Sequence, residues 1–278
     1  MKFNVKKGIL LAFATVIALG GLLGGCGKKD NSFQKVKDKN ELVVGTSADF
    51  APYDFQIVKN GKKEIIGYDI MLAHEIAKQT GIKHVKVVNM SFPSLITELQ
   101  NKKVDVVMAG MAYTKQRAKV VGFSKVYHND SGRAQVLLVS PKNKDKYKSV
   151  ADLSGASLGA QQSSEQEKIA NKVKGAKVVT ESSLAGLTTE LKNGTLDGVV
   201  CGGDTAKAYV KEHPNDYAIA DNINFKYSKQ AAGVRIVTRK DDKQLLEQIN
   251  QVIEKDKKNG KLDKLYQQAV DLQIANNQ

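Results

Sequence analysis

One pattern constrains the fold of this chain more than any other: a fourteen-residue segment that occurs twice, ninety-two positions apart. Thr97-Glu98-Leu99-Gln100-Asn101-Lys102-Lys103-Val104-Asp105-Val106-Val107-Met108-Ala109-Gly110 is followed later by Thr189-Glu190-Leu191-Lys192-Asn193-Gly194-Thr195-Leu196-Asp197-Gly198-Val199-Val200-Cys201-Gly202. Thr, Glu, Leu, Asn, Asp, Val and Gly match in register. Each copy reads as a helix end, a turn, a buried strand and a glycine where the strand stops. Repeated βα units of this kind build mostly parallel sheets, and open α/β sheets collect ligands beyond the carboxyl ends of their strands. Gly110 and Gly202 are therefore expected at two edges of one cleft, seen from two lobes.

The rest of the chain carries the same alternation. Short β-branched runs at 42–46, 85–89, 104–108, 158–161, 177–180 and 196–201 read as strands. Between them lie amphipathic stretches. Asp69 is placed to cap a helix running to Gln79, with Ile70, Ala73, Ile76 and Ala77 on one face and Gly81 just past its end. Pro93 suits the first turn of a helix carrying Leu95, Ile96 and Leu99. Helical patterns are also expected at 205–211, 244–254 and 262–270, with the lysine-rich stretch 255–261 as a solvated turn between the last two. With 278 residues there is room for about two units with cores of their own.

The first thirty residues follow different rules. Lys2, Lys6 and Lys7 precede an uncharged run, Gly8 to Gly27, that has the layout of a signal peptide. Its length would also suit a membrane anchor, but Leu23-Gly24-Gly25-Cys26 resembles the lipobox of bacterial lipoproteins, in which the cysteine is acylated and becomes the first residue. The expected order is a lipoprotein signal peptide at 1–25, lipid on Cys26 and a polar tether over 26–40. Lys+Arg 43 against Asp+Glu 29 leaves a formal charge of +14, and the exported part stays basic. Such a balance suits an anionic surface. Lys142, Lys144, Lys146 and Lys148 read as a solvated loop, and with no phosphate-loop or zinc motif nucleic acid is not expected as a partner. Cys201 sits in an apolar run and reads as a small buried hydrophobe, so no disulfide or cysteine metal site is expected. His74, His84, His128 and His213 show no paired or metal-like spacing, and neither catalysis nor a cofactor is expected.

What stands at the strand ends suits an anion. After Gly110 come Met111, Ala112, Tyr113, Thr114, Lys115, Gln116 and Arg117, then apolar Ala118, Val120 and Val121. Thr114 reads as the N-cap of a helix with Arg117 in its first turn, where free N–H groups, the helix dipole and a guanidinium would converge. Ser163-Ser164-Glu165-Gln166-Glu167 reads as a second capped helix start facing the same cleft.

Taken together these residues resemble the polar-amino-acid solute-binding proteins of bacterial ABC importers, which have the two-lobed type II periplasmic-binding-protein fold. The resemblance spans nearly all of the chain after the leader. It rests on Gly45-Thr46-Ser47-Ala48-Asp49-Phe50-Ala51-Pro52-Tyr53-Asp54-Phe55, on Ile66-Gly67-Tyr68-Asp69-Ile70, on Phe92-Pro93-Ser94-Leu95-Ile96, on 110–117 and on Val121-Gly122-Phe123-Ser124. It implies an α/β architecture of two lobes, mostly parallel sheets with helices on both faces and two hinge strands. Lobe 1 is expected over 41–133, lobe 2 over 134–231, and 232–278 returns to lobe 1 with the C-terminal helices.

The resemblance further implies a ligand site. Phe50 is similar to the platform under the ligand side chain and Phe92 to a second apolar wall, with Ser47 and Asp49 beside the platform. Gly110 matches a carbonyl for the α-ammonium, Ala112 an N–H for the α-carboxylate with Met111 between them, and Arg117 the carboxylate-clamping arginine. Ser164, after Ser163, matches a donor from the second lobe. Two positions depart from the family. Gly202 stands where an aspartate usually binds the ammonium, leaving Asp204 either to reach in or to cap the following helix. Glu165 stands where relatives often have a small or apolar residue. With Asp49 and Asp204 it leans the expectation toward a cationic amino acid. The implied mechanism is capture by closure, delivery to an ABC permease and its ATPase, and a monomer. A ligand-sensing lipoprotein without transport, or more remotely a small-carboxylate dehydratase, would share the outline.

Overall fold

The computed structural model describes residues 30–129, 135–227 and 231–276. The leader, Cys26 and the start of the first expected lobe crossing, at 133–134, lie outside them, while the return at 231–234 lies within them. No helix among the described residues is long and apolar enough to cross a membrane.

The chain begins with α1 (Ser32–Lys39), β1 (Glu41–Thr46), β2 (Asp49–Phe50), β3 (Asp54–Lys59), β4 (Lys62–Ile66), α2 (Tyr68–Thr80), β5 (His84–Asn89), α3 (Leu95–Gln100), β6 (Val106–Val107) and β7 (Val121–Phe123). It continues with β8 (Gln135–Val139), β9 (Ser157–Gln161), α4 (Glu165–Ala170), β10 (Lys177–Glu181), α5 (Leu184–Lys192), β11 (Gly198–Gly202), α6 (Gly203–Glu212) and β12 (Ala218–Ile219). It ends with β13 (Val237–Arg239), α7 (Lys243–Lys258) and α8 (Lys261–Ala275).

Two five-stranded sheets share one plan. Their orders are β5-β1-β6-β13-β7 and β10-β9-β11-β8-β12. In each, the first three strands are parallel, and the fourth, β13 or β8, is antiparallel to both its neighbours. Four of five strands in each sheet thus run one way. Helices cover both faces, because neighbouring strand residues bury on opposite sides. Val106 joins the core under α2, α7 and α8, while Val107 joins the one containing Leu95 and Leu99. The second sheet likewise separates two cores, around Leu158 and around Leu187.

The sequence repeat is a structural repeat. Lys102 and Gly194, at matching positions, both adopt the left-handed backbone that ends the helix turn. Asp105 accepts the Val43 N–H at 3.1 Å while its own N–H donates to the Val43 carbonyl at 2.8 Å. Asp197 makes the same two bonds to Ser157, at 2.9 Å each. The matched aspartates therefore tie each repeat strand to its parallel neighbour. They also shorten the strand expected at 104–108 to Val106–Val107.

Several expectations are corrected by packing. Residues 32–39, read as tether, form α1, because Val36 buries to 2% exposure and Phe33 packs beside it on lobe 1. Asp69 does not cap α2; Gly67 holds the N-cap position, and Asp69 turns inward to accept the Gly110 N–H at 2.8 Å and the Tyr127 hydroxyl at 2.6 Å. The helix expected after Thr114 is a single 3-10 turn, Arg117–Lys119, although Thr114 Oγ1 does accept the Arg117 N–H. Val121 then leaves as β7, since pairing with β13 outweighs the local helical period. Asp204 lies within the first turn of α6, whose N-cap is Gly202, and does not cap it.

Sequence reading missed the β3–β4 hairpin, which with β2 forms a third sheet. Asn60-Gly61 is its two-residue turn, both residues with positive φ. An Asn-Gly pair between extended runs is a strong hairpin signal that was available.

Candidate functional site

The site lies where the two repeat glycines face each other. Phe50, on β2, packs against cores of both lobes. A Cβ on Gly110 would fall 2.6 Å from the Phe50 ring, and one on Gly202 would fall 3.2 Å from it. The ring is therefore held between the strand ends of lobe 1 and lobe 2, with Tyr53 stacked on it at 5.6 Å. Gly110 has φ +53, so both its conformation and its neighbour favour glycine.

Arg117 reaches the same place from the 3-10 turn. Its guanidinium donates to the Ala112 carbonyl of lobe 1 and to the Ser163 carbonyl of lobe 2, each at 2.9 Å. It also lies over the Phe92 ring, 5.3 Å from the centroid. Burial pulls its pKa down to about 10, with Glu165 opposing that shift. Phe50, Phe92, Gly110, Ala112, Arg117 and Glu165 border one small cavity, together with Gln161 and Gln166. Ser164 is buried, and its hydroxyl accepts the Glu167 N–H to cap α4. Ser163 takes positive φ, which turns its carbonyl to Arg117.

Asp49 bridges the lobes. Its Oδ2 accepts the Leu184 N–H at 2.9 Å, at the start of α5, and the Gln161 amide at 3.1 Å. The residue at the N-cap of α5, Ser183, makes no side-chain cap bond. Burial raises the Asp49 carboxyl above the usual carboxylate range. Asp204 sits on the other flank, its Oδ2 at 3.2 Å from His128 Nε2 and its Oδ1 at 3.3 Å from Lys207 Nζ. Burial works to raise its pKa, but hydrogen bonds from His128 and Tyr266 and the charge on Lys207 prevail and bring it to about 2. Asp204 is thus an anion at neutral pH.

Two of the expected residues lie apart from the cleft. The Ser47 N–H and hydroxyl are committed to Asp54, at 3.1 and 3.2 Å, and Ser47, like Asp49, borders a separate groove beside β3. The Met111 side chain lies in the lobe 1 core at 1% exposure. Asp54 and Asp69, both fully buried, organise the site from behind: the first gathers Thr46, Ser47 and Ala48, and the second holds Gly110. Sequence reading assigned neither role. Gln161 was also missed, although a polar residue ending an apolar strand at its carboxyl edge is a readable signal. Gln135 and His128 reach the cleft only through register and tertiary packing. No group of three or more metal-ligating side chains occurs among the described residues.

Two α/β lobes that meet over a cleft at the carboxyl ends of their strands, bridged by an arginine and an aspartate, define a two-lobed solute-binding protein. Residues 42–271 match the bacterial extracellular solute-binding proteins, family 3, and the chain belongs to that family. The arginine-binding extracellular protein ArtP of Bacillus subtilis is 32% identical over 266 residues, covering 94% of this chain and 96% of that protein. The crystal structure of the amino acid ABC transporter substrate-binding protein AbpA from Streptococcus pneumoniae bound to L-arginine superposes with TM-score 0.81 at 35% identity, covering 87% of this chain and 99% of that one. The ancestral amino acid-binding protein AncCDT-1, a precursor of cyclohexadienyl dehydratase, matches with TM-score 0.76 at 30% identity, over 86% of this chain and 99% of that one.

Proposed function

We propose that the protein captures a cationic L-amino acid, arginine first, outside the cytoplasm and delivers it to an ABC permease and its ATPase. The observation that carries this reading is Arg117, a buried guanidinium touching both lobes at once beside an aromatic platform and the Glu165 carboxylate. In the closed cleft it meets the α-carboxylate together with the Ala112 N–H and the Ser164 hydroxyl. Phe50 and Phe92 flank the ligand side chain, and Glu165 sets a negative potential for its cationic end. Relatives similar along nearly the whole chain bind arginine, which strengthens the lean beyond what acidic residues alone supported.

In this reading the protein works as a monomer, without cofactor or metal, tethered by lipid on Cys26. Closure is driven by contacts available only when the lobes meet, so ligand and closure stabilise each other. The test is calorimetry of the purified protein against the twenty amino acids. The expected result is tight binding of L-arginine with weaker lysine or histidine and no glutamate. Glutamate binding, or no binding of any cationic amino acid, would overturn it. For the anchor, Cys26→Ala should free the protein from the membrane fraction; retention there would sink that part alone.

A further inference from the structure

Gly202 carries no side chain, and the space one would take there has an unusual border. Thr205 Oγ1 lies 3.9 Å from where a Cβ on Gly202 would be, and the Phe50 ring lies at 3.2 Å. Gln135, on β8, is the cross-strand partner of Gly202 in the antiparallel register with β11. Paired residues of a sheet project to one face, so the long Gln135 side chain stands over a position that has none of its own. Phe50, Gly110, Ala112, Gln135, Gly202, Asp204 and Thr205 all border one small cavity, next to the one bordered by Arg117.

Two buried oxygens there have no partner, beside a carboxylate. Thr205 is 0% exposed, yet its Oγ1 has no hydrogen-bond partner among the described residues. Gln135 Oε1 is buried and equally unpartnered. Orphaned buried polar atoms are rare in folded proteins and costly, and two beside one carboxylate at one cavity mark a place built for a donor. The donor suited to two neutral oxygens and an anion is a primary ammonium, with three N–H bonds and a positive charge. Asp204 is held from behind by His128 and Lys207, which fixes where its carboxylate can present itself.

We infer that Gln135, Thr205 and Asp204 form a subsite for the α-ammonium of the ligand, in the space that the absence of a side chain at Gly202 leaves. His128 is a positioning residue for it, acting through Asp204. The inference rests on the amino-acid reading above and deepens it. A site of this kind rejects an analogue lacking the amino group strongly, because the Thr205 and Gln135 oxygens are then left unpaired and the Asp204 anion faces no ligand cation.

The experiment compares L-arginine with 5-guanidinopentanoate, the same molecule without its amino group, by calorimetry on the full protein. The wild type is expected to favour L-arginine by about a hundredfold or more. Thr205→Val, nearly isosteric and free of the orphan hydroxyl, and Gln135→Leu should each weaken L-arginine by about tenfold while leaving the desamino compound within about threefold. Asp204→Asn should collapse most of the discrimination. His128→Phe, which keeps a ring against Tyr266, should reduce discrimination, and His128→Asn, which can still donate to Asp204, should restore part of it. Equal losses for both ligands in Thr205→Val and Gln135→Leu, or no loss in either, would overturn the subsite while leaving arginine capture standing. A wild type that binds both compounds equally would do the same. A wild type that binds no amino acid would overturn the capture reading along with it.

Discussion

At the scale of single residues, the site depends on charges held where water is scarce. Arg117 donates across the cleft to one carbonyl from each lobe, so truncating it removes a contact between the lobes and, on the proposed function, the partner of the ligand carboxylate. Arg117→Ala should weaken amino-acid binding by about a hundredfold or more, since bonds to charged groups each contribute about 1.5–3 kcal/mol. Its far-ultraviolet circular dichroism should match the wild type. Binding within tenfold of wild type would remove Arg117 from the site. Asp69 makes a different kind of prediction. Burial raises its carboxyl from 3.8 to about 6, while the Tyr127 hydroxyl and Gly110 N–H oppose that shift. A carboxyl whose folded pKa lies above its unfolded value contributes stability at pH below about 4, and that contribution is lost as pH rises through about 6. The unfolding midpoint of Asp69→Asn, which cannot ionise, should therefore rise relative to wild type between about pH 4 and pH 7. Thermal melts across that range read it directly; a constant difference would mean that Asp69 does not titrate there.

At the scale of elements, the two lobes share a cap. The first N–H of α5 in lobe 2 finds its carboxylate on Asp49 in lobe 1, not on its own Ser183. Opening the cleft leaves that helix end to solvent, and an N-cap contributes about 1 kcal/mol. Asp49→Ala should therefore weaken every ligand by a similar factor of about five, with faster dissociation and unchanged preference among arginine, lysine and histidine. A change in preference, seen in competition calorimetry, would place Asp49 against the ligand side chain instead. The same scale shows where local pattern was a good guide. α2 ends where Gly81 says it should, because that signal is carried by neighbours in sequence, while it begins at Tyr68, ahead of the start that an Asp69 cap would set. The turn after Thr114 was misread because Val121 answers to β13, more than a hundred residues away. Asn60-Gly61 was legible and overlooked; the hairpin it closes carries Asp54, which braces the Ser47 loop.

At the scale of the whole molecule, lobe contact is distributed. Arg117 to Ser163, Asp49 to Leu184, Gln161 to Asp49 and His128 to Asp204 all cross the cleft, and Phe50 touches Gly202 from the other lobe. No one of these is large, so the balance between open and closed should be sensitive to ligand. Small-angle scattering should show a smaller radius of gyration with L-arginine than without, and a hundredfold excess over the dissociation constant should raise the unfolding midpoint by roughly 5–10 °C. An unchanged radius together with a raised midpoint would mean that the cleft is closed before ligand arrives.

Fold class, the doubled βα plan and the strand-end location of the cleft were determined by the sequence alone, because hydrophobic period, turn residues and the Thr97/Thr189 repeat are local signals that any packing must respect. Phe50, Gly110, Arg117 and Ser164 were legible through resemblance of short motifs. What only the tertiary structure decided is the partnership of residues distant in the chain: Asp69 under Gly110, Asp49 on α5, Gln135 over Gly202, His128 behind Asp204. Their roles depend on register and on two lobes meeting, and a buried hydrogen bond chooses its partner by position in space, which no spacing along the chain records.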